Sequence, residues 1–264
     1  MGYETVEWEK KESIGILTLH RPDSLNAINE LMCQELLAVL NQVNHPDEGI
    51  RVLLITGAGR AFCTGMDLKE YQLGARTGEA YRQWHRHFGI QDVVRTLYNL
   101  EIPTIAMVNG NCVGAGLDLA LACDMRVGSN RARFMAANVR VGFIPDDGGT
   151  YLLPKTVGMA KACELVFSAD FLEAEEALRI GLINILTTET ELEAKAIALA
   201  SKITRNAPLA IKLAKLHMRR GLVGDLGSAL EGEAEAQTIL VSSEDHAEGV
   251  RAFLENRQPV FKGR

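Results

Sequence analysis

An α/β fold is predicted by three features of this chain. Short apolar runs of strand length recur along it, stripes of helical period stand between them, and glycine-rich turns join one to the other. Ile14–Leu19 reads as a strand, closed by the turn Arg21-Pro22-Asp23. Leu31, Leu36, Leu37, Leu40 and Val43 form a helical stripe with Asn29 placed to cap it. Val52-Leu53-Leu54-Ile55-Thr56 is a buried strand that turns at Gly57-Ala58-Gly59. Residues 70–98 read as one or two amphipathic helices suited to covering a site. Ile105-Ala106-Met107-Val108 is a second buried strand; a small-residue helix follows from about 114 to 123, and Asp124-Met125-Arg126-Val127 returns as a strand.

Segment 134–153 reads as irregular, and beyond it the chain becomes mostly helical. The expected helices are 159–167, 173–178, Leu192–Thr204 and 208–220, the last with Pro208 in its first turn and Leu209, Leu213 and Leu216 on one side. The expected organisation is an α/β core over 1–199 and a C-terminal helical region over 200–264, either a small separate unit or an arm against a neighbouring subunit.

Composition narrows the function classes. The 264 residues are 47% hydrophobic, enough for a sizeable core and against disorder. A formal net charge of -6 disfavours a globally basic nucleic-acid binder. Five cysteines, widely spaced and odd in number, suit a reducing compartment better than a disulfide framework and lack zinc-site spacing. The acidic start lacks the core of a signal peptide, and the best apolar run, 102–121, is broken by Pro103, glycines and Asp118. The expectation is a cytoplasmic protein with no membrane span. No metal site is expected, since His85 and His87 are two apart and no HxxxH pattern occurs. Gly57-Ala58-Gly59 lacks dinucleotide-site spacing. Cys63 and Cys112 read as small packing residues rather than nucleophiles.

The chemistry resides in two glycine-rich stretches, Ala61-Phe62-Cys63-Thr64-Gly65-Met66-Asp67-Leu68 and Asn109-Gly110-Asn111-Cys112-Val113-Gly114-Ala115-Gly116-Leu117-Asp118. Each places small residues before a helix start, so each could aim a main-chain N–H at one developing oxyanion, as an enzyme acting on an acyl thioester requires. Ordinary strand-to-helix turns would give the same pattern. A proton must also move at carbon near such a thioester, and a carboxylate in a dry pocket is raised toward neutrality for that work. Asp118, Asp146 and Asp147 are the candidates. Asp118 could instead cap a helix N-terminus, and Asp146 could be a polar turn residue. Asp147 is expected to face solvent or pair structurally.

Taken in order, these stretches resemble the crotonase superfamily, the enoyl-CoA hydratases and isomerases, over essentially the whole chain. Arg21-Pro22 with Leu25-Asn26-Ala27-Ile28, Gly114-Ala115-Gly116-Leu117-Asp118 and Gly142-Phe143-Ile144-Pro145-Asp146-Asp147-Gly148-Gly149 carry the resemblance together. It implies a crotonase-like spiral of strand–strand–helix turns with two nearly perpendicular sheets, a helical C-terminal region, and assembly as a homotrimer or a dimer of trimers. It implies the N–H groups of Met66 and Ala115 as oxyanion donors, with Ala115 where the family usually has a third glycine.

The resemblance also places a hydratase's first glutamate at Asp118 and its second at Asn138, which cannot titrate but can orient a water or substrate. Isomerase-like members have an aspartate matching Asp146, which makes Asp146 the expected principal base and Asp118 the second acid. Leu25, Ala61, Thr64, Leu68 and Lys69 are implied contacts for coenzyme A, with Arg21 a further phosphate candidate. Phe261 and Lys262 are implied to reach the coenzyme A of an adjacent subunit. No cofactor is implied beyond the coenzyme A of the substrate, and the partner is an acyl-CoA thioester rather than nucleic acid or membrane. The leading expectation is an acyl-CoA double-bond isomerase. A hydratase with an atypical acid set is the second reading, and a non-enzymatic CoA- or RNA-binding homologue the third.

Overall fold

The computed structural model describes residues 2–69, 78–79 and 89–264. Most of the expected cover, including Tyr71, Tyr81, Trp84, His85, His87 and Phe88, lies outside the described residues. The chain opens with β1 (Val6–Lys11) and β2 (Ile14–Leu19), then α1 (Glu30–Val43), β3 (Val52–Gly57), β4 (Ala61–Cys63) and α2 (Ile90–Asn99). Next come β5 (Thr104–Val108), β6 (Asn111–Val113), α3 (Ala115–Ala122), β7 (Met125–Ser129) and β8 (Arg133–Met135). After a short 3-10 turn at Ala137–Val141 follow α4 (Gly149–Val157), α5 (Met159–Ser168), β9 (Leu172–Glu173), α6 (Ala174–Arg179) and β10 (Ile185–Thr187). The chain ends in α7 (Leu192–Thr204), α8 (Pro208–Gly221), α9 (Leu226–Val241) and α10 (Glu244–Leu254).

From β3 to β8 consecutive strands alternate between two sheets. The larger has the order β1-β2-β3-β5-β7-β10 and is parallel apart from β1; the smaller has the order β4-β6-β8-β9. Each pass therefore lays one strand on the large sheet, turns a corner, lays one on the small sheet and leaves through helical or turn structure. That is the expected spiral. Period-two alternation gives the large sheet two apolar faces. Leu17, Leu53, Ile55 and Ala106 face the main core with α1, α2 and α3, whereas Ile16, Val52, Leu54 and Ile105 pack under Leu192, Ala196 and Ala200 of α7. The boundary expected at 199/200 thus falls inside α7, whose first part belongs to the sheet.

Two expectations are corrected. The buried face of α1 is Met32, Cys33, Leu36, Val39, Leu40 and Val43, with Leu31 turned outward; Asn29 does cap the helix, its side chain accepting from the Met32 N–H at 3.0 Å. The stripe of α8 is not buried: Leu216 is exposed, and the one fully buried side chain of that helix is Lys215. Its ammonium lies 2.7 Å from the Asp124 carboxylate and donates to the Ile102 carbonyl, while Arg219 takes the other Asp124 oxygen. Charge pairing, rather than leucine packing, fixes α8 to the end of the sheet. Among the described residues no helix is long and apolar enough to cross a membrane.

The corners between sheets are held by side-chain amides. Asn26 is fully buried; its oxygen accepts from the Arg21 N–H and its NH2 donates to the Ala58 and Ala61 carbonyls, each at 2.9 Å. Asn109 reaches the Gly57, Gly59 and Ala61 carbonyls from the next corner, and Ser129 in the corner after that donates to the Asn109 carbonyl. Asn26 also sits at φ 56, a left-handed conformation that asparagine tolerates better than most residues. Asn26→Ala takes the side-chain partner from the Ala58 carbonyl and the Arg21 N–H and leaves the Ala61 carbonyl to Asn109 alone, and urea unfolding should show a loss of about 3 kcal/mol.

Candidate active site

The corners deliver two loops to one place. The 21–28 loop is zipped to the loop after β4: the Ile28 N–H donates to the Gly65 carbonyl at 2.8 Å, the Asp67 N–H donates to the Ile28 carbonyl at 2.8 Å, and the Thr64 N–H donates to the Leu25 carbonyl. Arg21 closes this seam through Asp67 at 2.9 Å and the Ala27 carbonyl. Its guanidinium is thus engaged within the fold.

Gly65 (φ 94) and Gly114 (φ 54) both take positive φ, as the turn into the site requires, and an atom placed at the Gly65 Cβ position would lie 3.5 Å from the Ala115 nitrogen. The two glycine-rich stretches are therefore in contact. Ala115 is the first residue of α3, where helix geometry leaves the N–H unused. Among the described residues neither the Met66 nor the Ala115 amide has an acceptor. At the far end of α3 the buried Arg126 donates to the Ala120 and Cys123 carbonyls, fixing the helix that carries Ala115.

A cavity of about 290 Å³ opens where these stretches meet. Met66, Ala115, Asn138 and Asp146 line it together with Thr64, Leu68 and Phe143. The Asn138 side chain is directed toward Gly114, and its Oδ1 is buried without a hydrogen-bond partner. Asp146 is half-buried, its carbonyl held at 2.7 Å by the Gln91 amide of α2. Asp118 stands behind the wall rather than in it: it is 2% exposed, and Gly149 is packed so closely that a Cβ there would lie 2.1 Å from its Oδ1. It caps nothing, since α3 has no side-chain cap. Burial, with the Asp146 carboxylate as a further contribution, pushes Asp118 from 3.8 up to about 8, against a lowering hydrogen bond from the Asp147 N–H. Asp118 thus holds its proton well above the usual carboxylate range beside Asp146. Asp147 is 1% exposed, not solvent-facing.

Of the residues implied as coenzyme A contacts, Thr64 and Leu68 line this cavity, Leu25 borders it through Thr64, and Lys69 is exposed nearby. Ala61 is buried in β4 with its carbonyl taken by Asn26 and Asn109. Phe261 and Lys262 lie apart from it. Phe261 lines a larger cavity, about 490 Å³, among the C-terminal helices, and the Lys262 N–H is held by the Asp245 carboxylate. That cavity contains none of the candidate acids 118, 146 or 147. Phe143, Val141 and Arg140 also line the site; sequence reasoning passed over them because they fall in a stretch without period. Cys63 and Cys112 are fully buried neighbours on β4 and β6, and burial pushes the Cys63 thiol up to about 12, so both are packing groups. Among the described residues no cluster of three or more metal-ligating side chains occurs.

Comparison with known proteins adds to this geometry. The enoyl-CoA hydratase/isomerase family model matches residues 9–264. The short-chain-enoyl-CoA hydratase of Clostridium acetobutylicum is 39% identical over 268 aligned residues, covering all of both chains. The crotonyl-CoA hydratase of Syntrophomonas wolfei is 36% identical, covering 99% of each. A crystal structure of an enoyl-CoA hydratase from Bacillus anthracis superposes with a TM-score of 0.93 at 33% identity, covering 99% of this chain and 100% of that one.

Asp118 binds its proton more tightly folded than unfolded, so its contribution to stability falls as pH rises from about 4 to about 8 and is constant above that. The stability of Asp118→Asn relative to the wild type, followed by denaturant unfolding, should therefore climb across this window by at most about 1.4 kcal/mol per pH unit and level off above pH 8.

Proposed function

The chain belongs to the enoyl-CoA hydratase/isomerase family and is an enzyme of acyl-CoA thioesters; on that premise we propose that it hydrates a 2-enoyl-CoA, with Asp146 as the proton-transferring carboxylate. The observation that carries this reading is the single cavity lined by Met66, Ala115, Asn138, whose amide oxygen is buried without a partner, and Asp146. Two main-chain donors suit the thioester oxygen. The Asn138 oxygen and the Asp146 carboxylate suit a water.

Asp146 takes a proton from that water as its oxygen bonds to the β-carbon, while Asn138 accepts from the second O–H. Negative charge moves to the thioester oxygen, where the Met66 and Ala115 N–H groups stabilise it; each such donor is worth about 3 kcal/mol in a transition state. The carboxyl group of Asp146 then returns a proton to the α-carbon, completing the addition of one water. Burial favours the proton on Asp118, with the neighbouring Asp146 carboxylate as the second cause.

Hydration gains its support from the relatives' names, which favour it over the double-bond shift that the sequence put first. The isomerase reading retains one specific observation: Asn138 cannot titrate, and a carboxylate that removes a proton beside the thioester and returns it farther along needs no second acid. In either reading the coenzyme A lies along the 21–28 and 61–69 loops, with Leu25, Thr64, Leu68 and Lys69 as its nearest contacts. No further cofactor is part of the proposal. We place assembly as a homotrimer, or a dimer of trimers, in the same proposal. The exposed Leu226, Phe253 and Leu254 of the C-terminal helices, at 75%, 81% and 73%, support an interface there.

In oxygen-18 water a 2-enoyl-CoA should yield a labelled β-hydroxyacyl-CoA, measured by mass spectrometry. Deuterium uptake from heavy water into a 3-enoyl-CoA without oxygen label would instead select the isomerase. Asp146→Asn should lower kcat about a hundredfold or more in steady-state kinetics, with a much smaller change in KM.

A further inference from the structure

A second cavity, about 340 Å³, lies on the other side of the turn that carries the acids. Asp146 and Asp147 line both, so the two spaces share that turn as a wall. The second space runs along α2 from Gln91 past Arg95 to Tyr98, with Tyr151 and Leu152 of α4 opposite. Its character changes along that path. Val94 and Leu152 give an apolar stretch beside Asp146, after which come the Arg95 guanidinium and the Tyr98 and Tyr151 hydroxyls, which are hydrogen-bonded to each other.

We propose that this chamber receives the far end of the acyl group and that it selects acyl chains ending in a carboxylate. This rests on the enoyl-CoA reading above. Arg95 lies one helical turn beyond Gln91, about 6 Å along the axis from the residue that holds the Asp146 main chain. Its partner is Asp92, half-buried and three residues earlier on the same helix; the Arg95 side chain is 67% exposed. Such a pair holds a guanidinium weakly, so Arg95 can turn to a carboxylate with two parallel hydrogen bonds.

The surroundings reinforce the choice. Tyr98 and Tyr151 carry on into an adjoining groove with Lys212, Lys215, Arg219 and Arg220, against Glu101 and the shared Asp124. Arg219 stacks on the Tyr98 ring at 3.8 Å and Lys155 on the Tyr151 ring at 4.6 Å, leaving the tyrosines under positive charge. The acidic turn at 146–147 and the basic end of the groove give an entering chain opposite surroundings at its two ends: uncharged carbon belongs by the acids, an anion by Arg95.

The test compares two ligands of equal chain length, a plain acyl-CoA and one ending in a carboxylate. Isothermal titration with the saturated forms measures binding without turnover, and kinetics with the 2-enoyl forms measures reaction. The carboxylate-ended ligand should bind the wild type at least about tenfold more tightly, and Arg95→Met should lower that ratio about tenfold while Arg95→Lys keeps part of it. Equal affinities in the wild type, or a ratio unchanged by Arg95→Met, overturns the inference. A binding preference without reaction of either 2-enoyl form leaves this inference standing and removes the enoyl-CoA reading; reaction of the plain substrate with no preference does the reverse. Binding of neither ligand overturns both.

Discussion

The buried amide of Asn26 is the contact on which the geometry of the site depends. The two donor loops come from successive passes of a spiral, so a shift at either corner would separate them. Asn26 and Asn109 prevent this by converging on the same Ala61 carbonyl from different corners. Hydrogen bonds of this sort contribute modestly when made and cost more when broken where they are buried, as the bond from Asn26 to the Ala61 carbonyl is. The relative placement of Met66 and Ala115 is therefore set at the corners as well as within either loop.

The acids follow a different logic. Asp118 is enclosed by the fold and holds its proton tightly, and the absence of a side chain at Gly149 is what lets the 145–149 turn approach it. Asp146 is brought to the cavity edge by that same turn. Two carboxylates with such unequal burial hold their protons unequally, the enclosed Asp118 the more tightly. The polarity of the pair depends on sterics as much as on charge.

Much of this was legible in the residues, and the misses have physical causes. β2 and the helices at 159, 173, 192 and 208 stand within a residue or so of their expected bounds, because apolar period and caps or proline signals agree there. The strands of the small sheet were not legible: β4, β6 and β8 have three residues each, too few to show a period. Helix α4 was hidden by Pro154 inside it and by Gly149 at its start. The stripe on α8 showed its period, but not that the helix's sole buried side chain is a lysine, because the ion pair with Asp124 spans 91 residues of sequence and leaves no local trace. At the site, the loops, Asp118, Asn138 and Asp146 came from motif and resemblance. That Asp118 lies behind the wall, that Arg21 is engaged with Asp67 and that Phe261 and Lys262 stand apart from the cavity are facts of packing. The order of the two candidate reactions also changed, and relatives rather than residues changed it.

The thiols have a practical consequence. Four of the five, Cys33, Cys63, Cys112 and Cys123, are buried, and for three of these burial holds the thiol near 12, while Cys163 on α5 is only half-covered. A maleimide dye offered to the folded protein meets one reachable sulfur, and the others become available only as the core opens. The native sequence thus comes with a single attachment point for a fluorophore, and with an internal reporter of unfolding that needs no engineered residue.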